Sequence, residues 1–195
     1  MLKEFLEFVD SVLPSIDTEK KNSTLEAIQQ FNFEDKELNF LASKPLEVLS
    51  QGDIISGVKF VFLDSDGNYH FTDKQWGMVL STSCHVDQKE TIQIIPVTPI
   101  HYDGWKKNFI DDVLKKNKVY DYMYIADILT KDHYVDFTII NTFNKQLIFS
   151  GIESGRIKRI ASLNQMGLYL LIIKLTVYLM RKEDPETFEQ RNTFG

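Results

Sequence analysis

The chain has 195 residues, of which 43% are hydrophobic and 26% are charged, a composition that excludes a disordered protein and indicates one domain with its own core. A formal net charge of −6 argues against broad contact with a nucleic-acid backbone, although a local basic patch could still bind RNA. A single cysteine, Cys84, excludes an intramolecular disulfide framework and a four-cysteine zinc site.

Residues 1–50 are predicted to be a helical segment. Apolar residues recur at three- and four-residue steps from Leu2 until Pro14 ends the run. A second helix is predicted to begin near Ser23, which opens a capping box, and a third to span residues 34–42. Acidic residues interrupt the first apolar run, so we expect no signal peptide and a cytoplasmic protein.

Residues 52–100 are predicted to form short antiparallel strands. The segment GDIISGVKFVFLD is rich in β-branched and aromatic residues, and Asp66-Gly67 after it predicts a tight hairpin rather than a calcium loop. Further strands are predicted for GMVLSTS, residues 77–83, and for TIQIIPVTPI, residues 91–100.

Residues 101–133 are predicted to be a helical insertion, with a helix over 105–118, and residues 134–150 return to strand character. The apolar run over 163–180 predicts a long core helix that opens with a capping box at Ser162. Lys174 lies in the middle of this run, which is short for a membrane span. We expect that lysine to snorkel or to pair with a carboxylate, and we expect no membrane partner.

Three short motifs follow one another in the strand region: GDII at 52–55, GMVLS at 77–81 and IIPVT at 94–98. In this order they resemble the MazF/PemK toxin family of small SH3-like barrels. The resemblance implies an α+β fold, with a small antiparallel SH3-like β-barrel, added N-terminal helices and a long C-terminal core helix. Residues 52–195 would then form one compact unit.

The same resemblance implies a metal-independent endoribonuclease that cleaves single-stranded RNA through the 2′-hydroxyl without a cofactor. It also implies a homodimer and an antitoxin-like protein partner. The family's catalytic threonine matches Thr98, and the serine that closes its second motif matches Ser81. Its catalytic arginine is not matched, because Gln75-Trp76-Gly77 stands where the family has Arg-Pro-Ala. Lys74 is the candidate replacement for the missing charge.

Polar residues after the second motif define a candidate catalytic rim. His85 is the predicted general acid or base and Thr98 the orienting hydroxyl, while Lys74 or Lys59 would neutralise the phosphate. We expect RNA contacts from Ser81, Thr82 and Ser83. The alternative is a turn whose hydroxyls bond to the backbone, with Cys84 buried and His85 on the surface.

A second candidate RNA surface lies around Lys106 and Lys107, beside Trp105 and several tyrosines. Exposed aromatic rings stack on bases and lysines contact phosphates, although the alternative is a solvated helix face. The histidines lack metal-ligand spacing, so no metal site is predicted.

Two functions are consistent with these patterns if residues 52–100 close into a barrel, and a structural or regulatory protein unrelated to toxins is the third possibility if they do not. The first is a toxin-like protein of the MazF/PemK type that acts on single-stranded RNA, with endoribonuclease activity. The alternative is a non-catalytic barrel used as a protein-binding module in a toxin–antitoxin or phage-defence system. The acidic net charge and the missing arginine favour the second function, whereas Thr98 and the barrel motifs favour the first.

Overall fold

A computed structural model describes residues 39–73, 75–101, 105–115 and 117–179. All of them belong to one compact unit, Asn39–Gly195. The helices predicted over 2–13 and from Ser23 onward lie outside the described residues, as does most of the helix predicted over 34–42. The described end of that third helix is not helical, because Leu41 forms an antiparallel bridge with Leu163 instead.

The described chain contains nine strands and four α-helices. The strands are β1 Asp53–Val58, β2 Val61–Leu63, β3 Tyr69–Phe71, β4 Gln75–Val79, β5 Thr91–Pro99, β6 Tyr122–Ile128, β7 Lys131–Asp136, β8 Asn141–Asn144 and β9 Lys158–Ser162. The helices are α1 Ser83–Gln88, α2 Lys107–Phe109, α3 Lys145–Glu153 and α4 Gln165–Leu179, and a π-helical turn, Ile110–Leu114, continues α2.

Seven of the strands form one antiparallel sheet in the order β6-β7-β5-β4-β1-β9, with β8 also paired to β5. Strand β5 is the centre of the sheet, since it pairs with β4 along one edge and with both β7 and β8 along the other. β2 and β3 form a separate ribbon between β1 and β4. The predicted α+β class with a small antiparallel barrel-like sheet is therefore confirmed.

One face of the sheet buries apolar side chains under α1 and α3. Ile55, Val79 and Ile94 contribute to this core, while Val86 of α1 and Ile148 of α3 are 1% exposed within it. Gly77 lies on the same face, where an added Cβ would come within 2.5 Å of Ile94 and 2.9 Å of Phe60. The alanine that the family resemblance expects at this position therefore has no room, and the glycine allows close packing here.

Helix α4 confirms the predicted long apolar helix. It begins after Asn164, whose Oδ1 accepts a hydrogen bond from Gly167 N at 2.9 Å. The capping box predicted at Ser162 is wrong, because Ser162 belongs to β9 and its hydroxyl donates to Asp53. Within the described chain, no helix has both the length and the apolar character needed to span a membrane.

The predicted helical insertion over 101–133 is only partly helical, because Lys107–Leu114 is helix and β6 and the start of β7 lie in the same range. Two strand predictions also need correction. The strand predicted over 77–83 ends at Val79, and Ser83–Gln88 is helical because Thr82 caps that helix. The segment predicted as strand over 134–150 ends as α3 from Lys145, where the Asn144 side chain accepts from Leu147 N. In both segments a capping side chain stops the extended backbone.

Candidate functional site

The threonine matched to catalysis and the glutamine in place of arginine lie side by side. In the register of β4 and β5, Trp76 pairs with Val97 and Gly77 with Pro96. One step further along this register places Gln75 opposite Thr98. Because opposite residues of antiparallel strands project from the same face, both side chains reach one part of the sheet surface, and both are half-buried.

Thr98 also faces Tyr134 on the other side of β5. Burial raises the pKa of the Tyr134 phenol, the Asp136 carboxylate raises it further, and a side-chain hydrogen bond with Thr98 acts in the opposite direction. The phenol therefore stays protonated at neutral pH. This arrangement offers hydrogen-bond donors, and a neutral phenol with a raised pKa is a poor general base.

An aromatic cluster extends this surface away from β5. The Trp105 ring centroid lies 4.9 Å from that of Tyr134 and 5.6 Å from that of Tyr122, and the two tyrosine rings meet edge to face at 5.2 Å. Burial, together with Asp136 and Asp121, raises the pKa of Tyr122. Tyr122 and Tyr134 are on the face of Thr98, since Tyr124 pairs with Tyr134 and residues two apart share a face.

Two lysines stand at the margin of this cluster. Lys106 precedes α2 and Lys107 is its first residue, immediately after Trp105, and both are exposed. Among the described residues, neither forms an ion pair, whereas Lys115 on the following turn contacts Asp132 at 3.2 Å and Asp111 at 3.8 Å. The structure therefore brings together Thr98, an aromatic cluster and two exposed cations.

The predicted rim after β4 has a different local structure. Ser81 is buried, and its Oγ accepts a hydrogen bond from Gln93 N at 2.9 Å. Thr82 is the N-cap of α1, where its Oγ1 accepts from His85 N. These two hydroxyls serve backbone groups, as in the alternative reading of the segment. Cys84 is exposed rather than buried, and His85 is exposed on the same helix.

His85 and Thr98 lie near opposite ends of β5. Ser81, which leads into α1, is bonded to Gln93, and Gln93 precedes Thr98 by five positions along the strand. At about 3.3 Å per residue these two positions are roughly 16 Å apart. One reacting group therefore cannot contact both His85 and Thr98. Ser83 lies on α1 with His85. Lys59 is exposed between β1 and β2, and Lys74 lies outside the described residues.

The first motif, GDII, places a buried carboxylate rather than a reactive one. Asp53 has no solvent exposure; it accepts hydrogen bonds from Ser50 N at 2.9 Å and from Ser162 Oγ, and it pairs with Arg159 at 2.9 Å. Arg159 also donates to the carbonyl groups of residues 46–48. This cluster holds the chain before β1 against β9. Its sequence signal was a charged residue at the start of an otherwise apolar strand.

Tyr134 and Gln75 were not assigned to the site from the sequence. In the sequence, Gln75 is a departure from the family pattern and Tyr134 belongs to a predicted strand, and neither position carries a signal for the site. Their proximity to Thr98 depends on strand register between β4, β5 and β7, which pairs segments far apart in the chain. A polar-apolar alternation shows which residues share a face of one strand, but it does not give this register.

Comparisons with known proteins concern the fold. No protein-family model matches this sequence, and a comparison with curated proteins finds no significant match. Among solved structures, the chain is similar to a MazE–MazF crystal structure from Deinococcus radiodurans, Form III, at 15% identity and a TM-score of 0.39, over 67% of this chain and 94% of the other. A Form II structure of the same complex is similar at 14% identity and a TM-score of 0.40, over 70% of this chain and 100% of the other.

Proposed function

We propose that this chain is a toxin-like protein of the MazF/PemK type that binds single-stranded RNA at the surface formed by Gln75, Thr98, Tyr134 and Trp105. The observation that carries the proposal is the pairing of Trp76 with Val97, because the next positions along this register are Gln75 and Thr98, the two that the family resemblance links to catalysis. The register of β4 and β5 places them on one face, beside the aromatic cluster.

The chemistry of this surface suits an RNA strand. The Trp105 ring offers a stacking partner for a base, and Lys106 and Lys107 offer positive charge to the flanking phosphates. The Thr98 hydroxyl and the Gln75 amide can both donate hydrogen bonds to a phosphate oxygen. Such contacts bind RNA through its backbone and base faces, with little dependence on sequence.

Cleavage through the 2′-hydroxyl, the activity implied by the resemblance, requires positive charge on the developing phosphorane. Gln75 has none, so that charge would come from Lys106 or Lys107, or from Lys74. A lysine is a point charge without the bidentate geometry of arginine, and we therefore expect cleavage to be slow relative to an arginine-containing site.

The test is expression of the chain in a bacterial host, with growth recorded and total RNA examined for new ends. We expect the wild-type chain to arrest growth and to produce new RNA ends, and the new ends should also form in the presence of a chelator. We expect Thr98→Ala to cause neither growth arrest nor new RNA ends. Thr91→Ala is the matched control, because Thr91 is an exposed threonine near the other end of β5. Intact RNA from a folded, well-expressed wild-type chain would contradict the nuclease and favour the protein-binding module.

His85→Ala tests the second predicted location independently. Because α1 follows Ser81, which is bonded to Gln93, and Gln93 is roughly 16 Å from Thr98 along β5, we expect this variant to cut RNA as the wild type does. Loss of cutting in His85→Ala, with Thr98→Ala still active, would move the site to α1. Equilibrium sedimentation of the same proteins tests the proposed homodimer.

A further inference from the structure

The ribbon of β2 and β3 carries an apolar face that the described residues leave exposed. The cross-strand pairs are Val61 with Phe71 and Leu63 with Tyr69, so these four side chains share one face. Leu63, Tyr69 and Phe71 are 59%, 70% and 67% exposed. An exposed apolar face on a projecting ribbon is typical of an interaction site rather than of a solvated loop.

The outer edge of β3 presents free backbone groups. Thr72 N donates to Phe60 O at 2.9 Å and Asp64 N to Asn68 O at 3.1 Å, so hydrogen-bonded pairs alternate along the ribbon. In this alternation Tyr69 and Phe71 direct their N–H and C=O groups away from β2. Within the part of the chain that the structure describes, these outward groups have no partner.

On the outer edge of β2, a side chain bonds to the outward backbone groups. Val61 also directs its backbone outward, and the Asn141 side chain bonds to both of its groups: Val61 N donates to Oδ1 at 2.7 Å and Nδ2 donates to Val61 O at 3.1 Å. The asparagine amide thus takes the place of a neighbouring strand. β3 has no equivalent, and its sequence, YHF, has no lysine, proline or bulge to protect the edge.

A two-stranded ribbon with one apolar face is marginally stable in water, and a third strand would complete it. The charges around the ribbon indicate the kind of strand. The turn that joins β2 to β3 carries Asp64 and Asp66, and a hydrogen bond from His70 lowers the pKa of Asp64 to about 2. The turn is therefore anionic at neutral pH, which repels RNA phosphates and attracts basic side chains.

We propose that the outer edge of β3 binds an extended segment of a partner protein, added antiparallel as a third strand, with apolar side chains at alternate positions and Lys or Arg following them. β3 runs from the turn toward the body of the protein, so an antiparallel segment runs toward the turn. Its basic residues then lie beside Asp64 and Asp66. Backbone hydrogen bonds give affinity in this mode, and the alternate side chains give specificity.

The test uses the full chain and a short labelled peptide in which Val and Thr alternate and a run of Lys follows. We expect binding to protect the amides of Tyr69 and Phe71 from hydrogen exchange. The double variant Tyr69→Thr with Phe71→Thr should weaken binding at least about tenfold. Leu147→Thr, at an exposed leucine of α3, is the matched control and should bind as the wild type does.

A charge exchange checks the orientation without altering the apolar face. The Asp66 N–H donates to Asp64 Oδ1, whereas the Asp66 side chain is exposed, so Asp66→Lys leaves the turn contacts in place. We expect this variant to bind the Lys peptide about tenfold more weakly and to bind a peptide with Glu in place of Lys more tightly than the wild type does.

The proposed peptide site does not include the proposed RNA site. We therefore expect Thr98→Ala to bind the peptide as the wild type does. Three outcomes would overturn it: equal binding by the Tyr69 and Phe71 double variant, binding without protection of the two amides, or equal binding of the Lys and Glu peptides. Self-association of the wild type that the double variant abolishes, without peptide binding, would identify a second copy as the occupant instead. Loss of RNA binding in the double variant, without peptide binding, would identify RNA.

Discussion

At the scale of single residues, buried Lys174 and His133 bond to backbone carbonyl groups, whereas Asp53, Ser162 and Arg159 bond to one another. Lys174, in the apolar helix α4, donates to the carbonyl groups of Asn117 at 2.8 Å and Val119 at 2.7 Å. The expectation that it would snorkel or pair with a carboxylate is therefore replaced by a contact with a chain turn, with Asp121 nearby. His133 is 2% exposed and stacks on Trp76 at 4.7 Å, and burial lowers its pKa.

The buried lysine predicts a stability that rises with pH. Burial lowers the pKa of Lys174 from 10.5 to about 8, so between these values the unfolded chain holds a proton that the folded chain has released. The cost of burying the charge is present below pH 8 and disappears as the pH approaches 10.5. We expect the free energy of unfolding to rise by about 3 kcal/mol over this window, measured by chemical denaturation.

Matched variants separate this lysine from the tyrosines that also titrate at high pH. Lys174→Met removes the titrating group, and its stability should not show the rise. Lys158→Met, at an exposed lysine of β9, should keep it. Parallel curves for the wild type and Lys174→Met would mean that the buried amine does not carry this linkage.

At the scale of elements, the residues of the turn between β6 and β7 are poorly suited to its backbone conformation. The hairpin between β6 and β7 closes through Leu129 and Thr130, whose φ values are 50° and 68°, with Ile128 paired to Lys131. Positive φ at both central residues defines a tight turn in which Asn-Gly is favoured, and neither leucine nor a β-branched threonine is suited to it. Leu129 is also 61% exposed, so it gains little from burial.

Replacing this turn should stabilise the protein. We expect the double variant Leu129→Asn with Thr130→Gly to raise the free energy of unfolding by about 1 to 2 kcal/mol, because it removes the cost of left-handed backbone at two positions. Thermal and chemical denaturation measure this. Thr138→Gly is the control at a turn without positive φ, and there glycine should destabilise. A double variant less stable than the wild type would show that the Leu129 side chain makes a compensating contact.

The same turns explain which elements could be predicted from the sequence. The Asp66-Gly67 hairpin and helix α4 were correct, because their signals are local: a dipeptide suited to positive φ and a long apolar run. β9 is not among the predicted strands, because Lys158 and Arg159 at its start obscure the apolar alternation of a short strand. Its pairing with β1 joins residues about a hundred positions apart, which no local pattern shows.

At the scale of the whole molecule, the negative net charge argues against RNA binding, whereas the exposed lysines of the candidate site favour it. The chain has a net charge of −6, yet the surface around Thr98 carries Lys106 and Lys107 on an exposed turn. An acidic protein that binds RNA must do so through few phosphate contacts, since broader contact would meet its own negative surface. The proposed RNA site fits this condition, because the base contact proposed for it, stacking on Trp105, does not depend on net charge.

The number of phosphate contacts can be measured through the dependence of RNA affinity on salt. Two lysines that each neutralise one phosphate of a single strand predict a slope of about −1.4 for the logarithm of the association constant against that of the salt concentration. The double variant Lys106→Ala with Lys107→Ala should bring the slope close to zero. Trp105→Ala should weaken RNA binding and leave the slope unchanged. Lys158→Ala should leave both affinity and slope unchanged. A steeper slope that survives loss of both lysines would place the RNA on a different, larger basic surface, and the net charge of the chain would then have to be offset by residues outside this face.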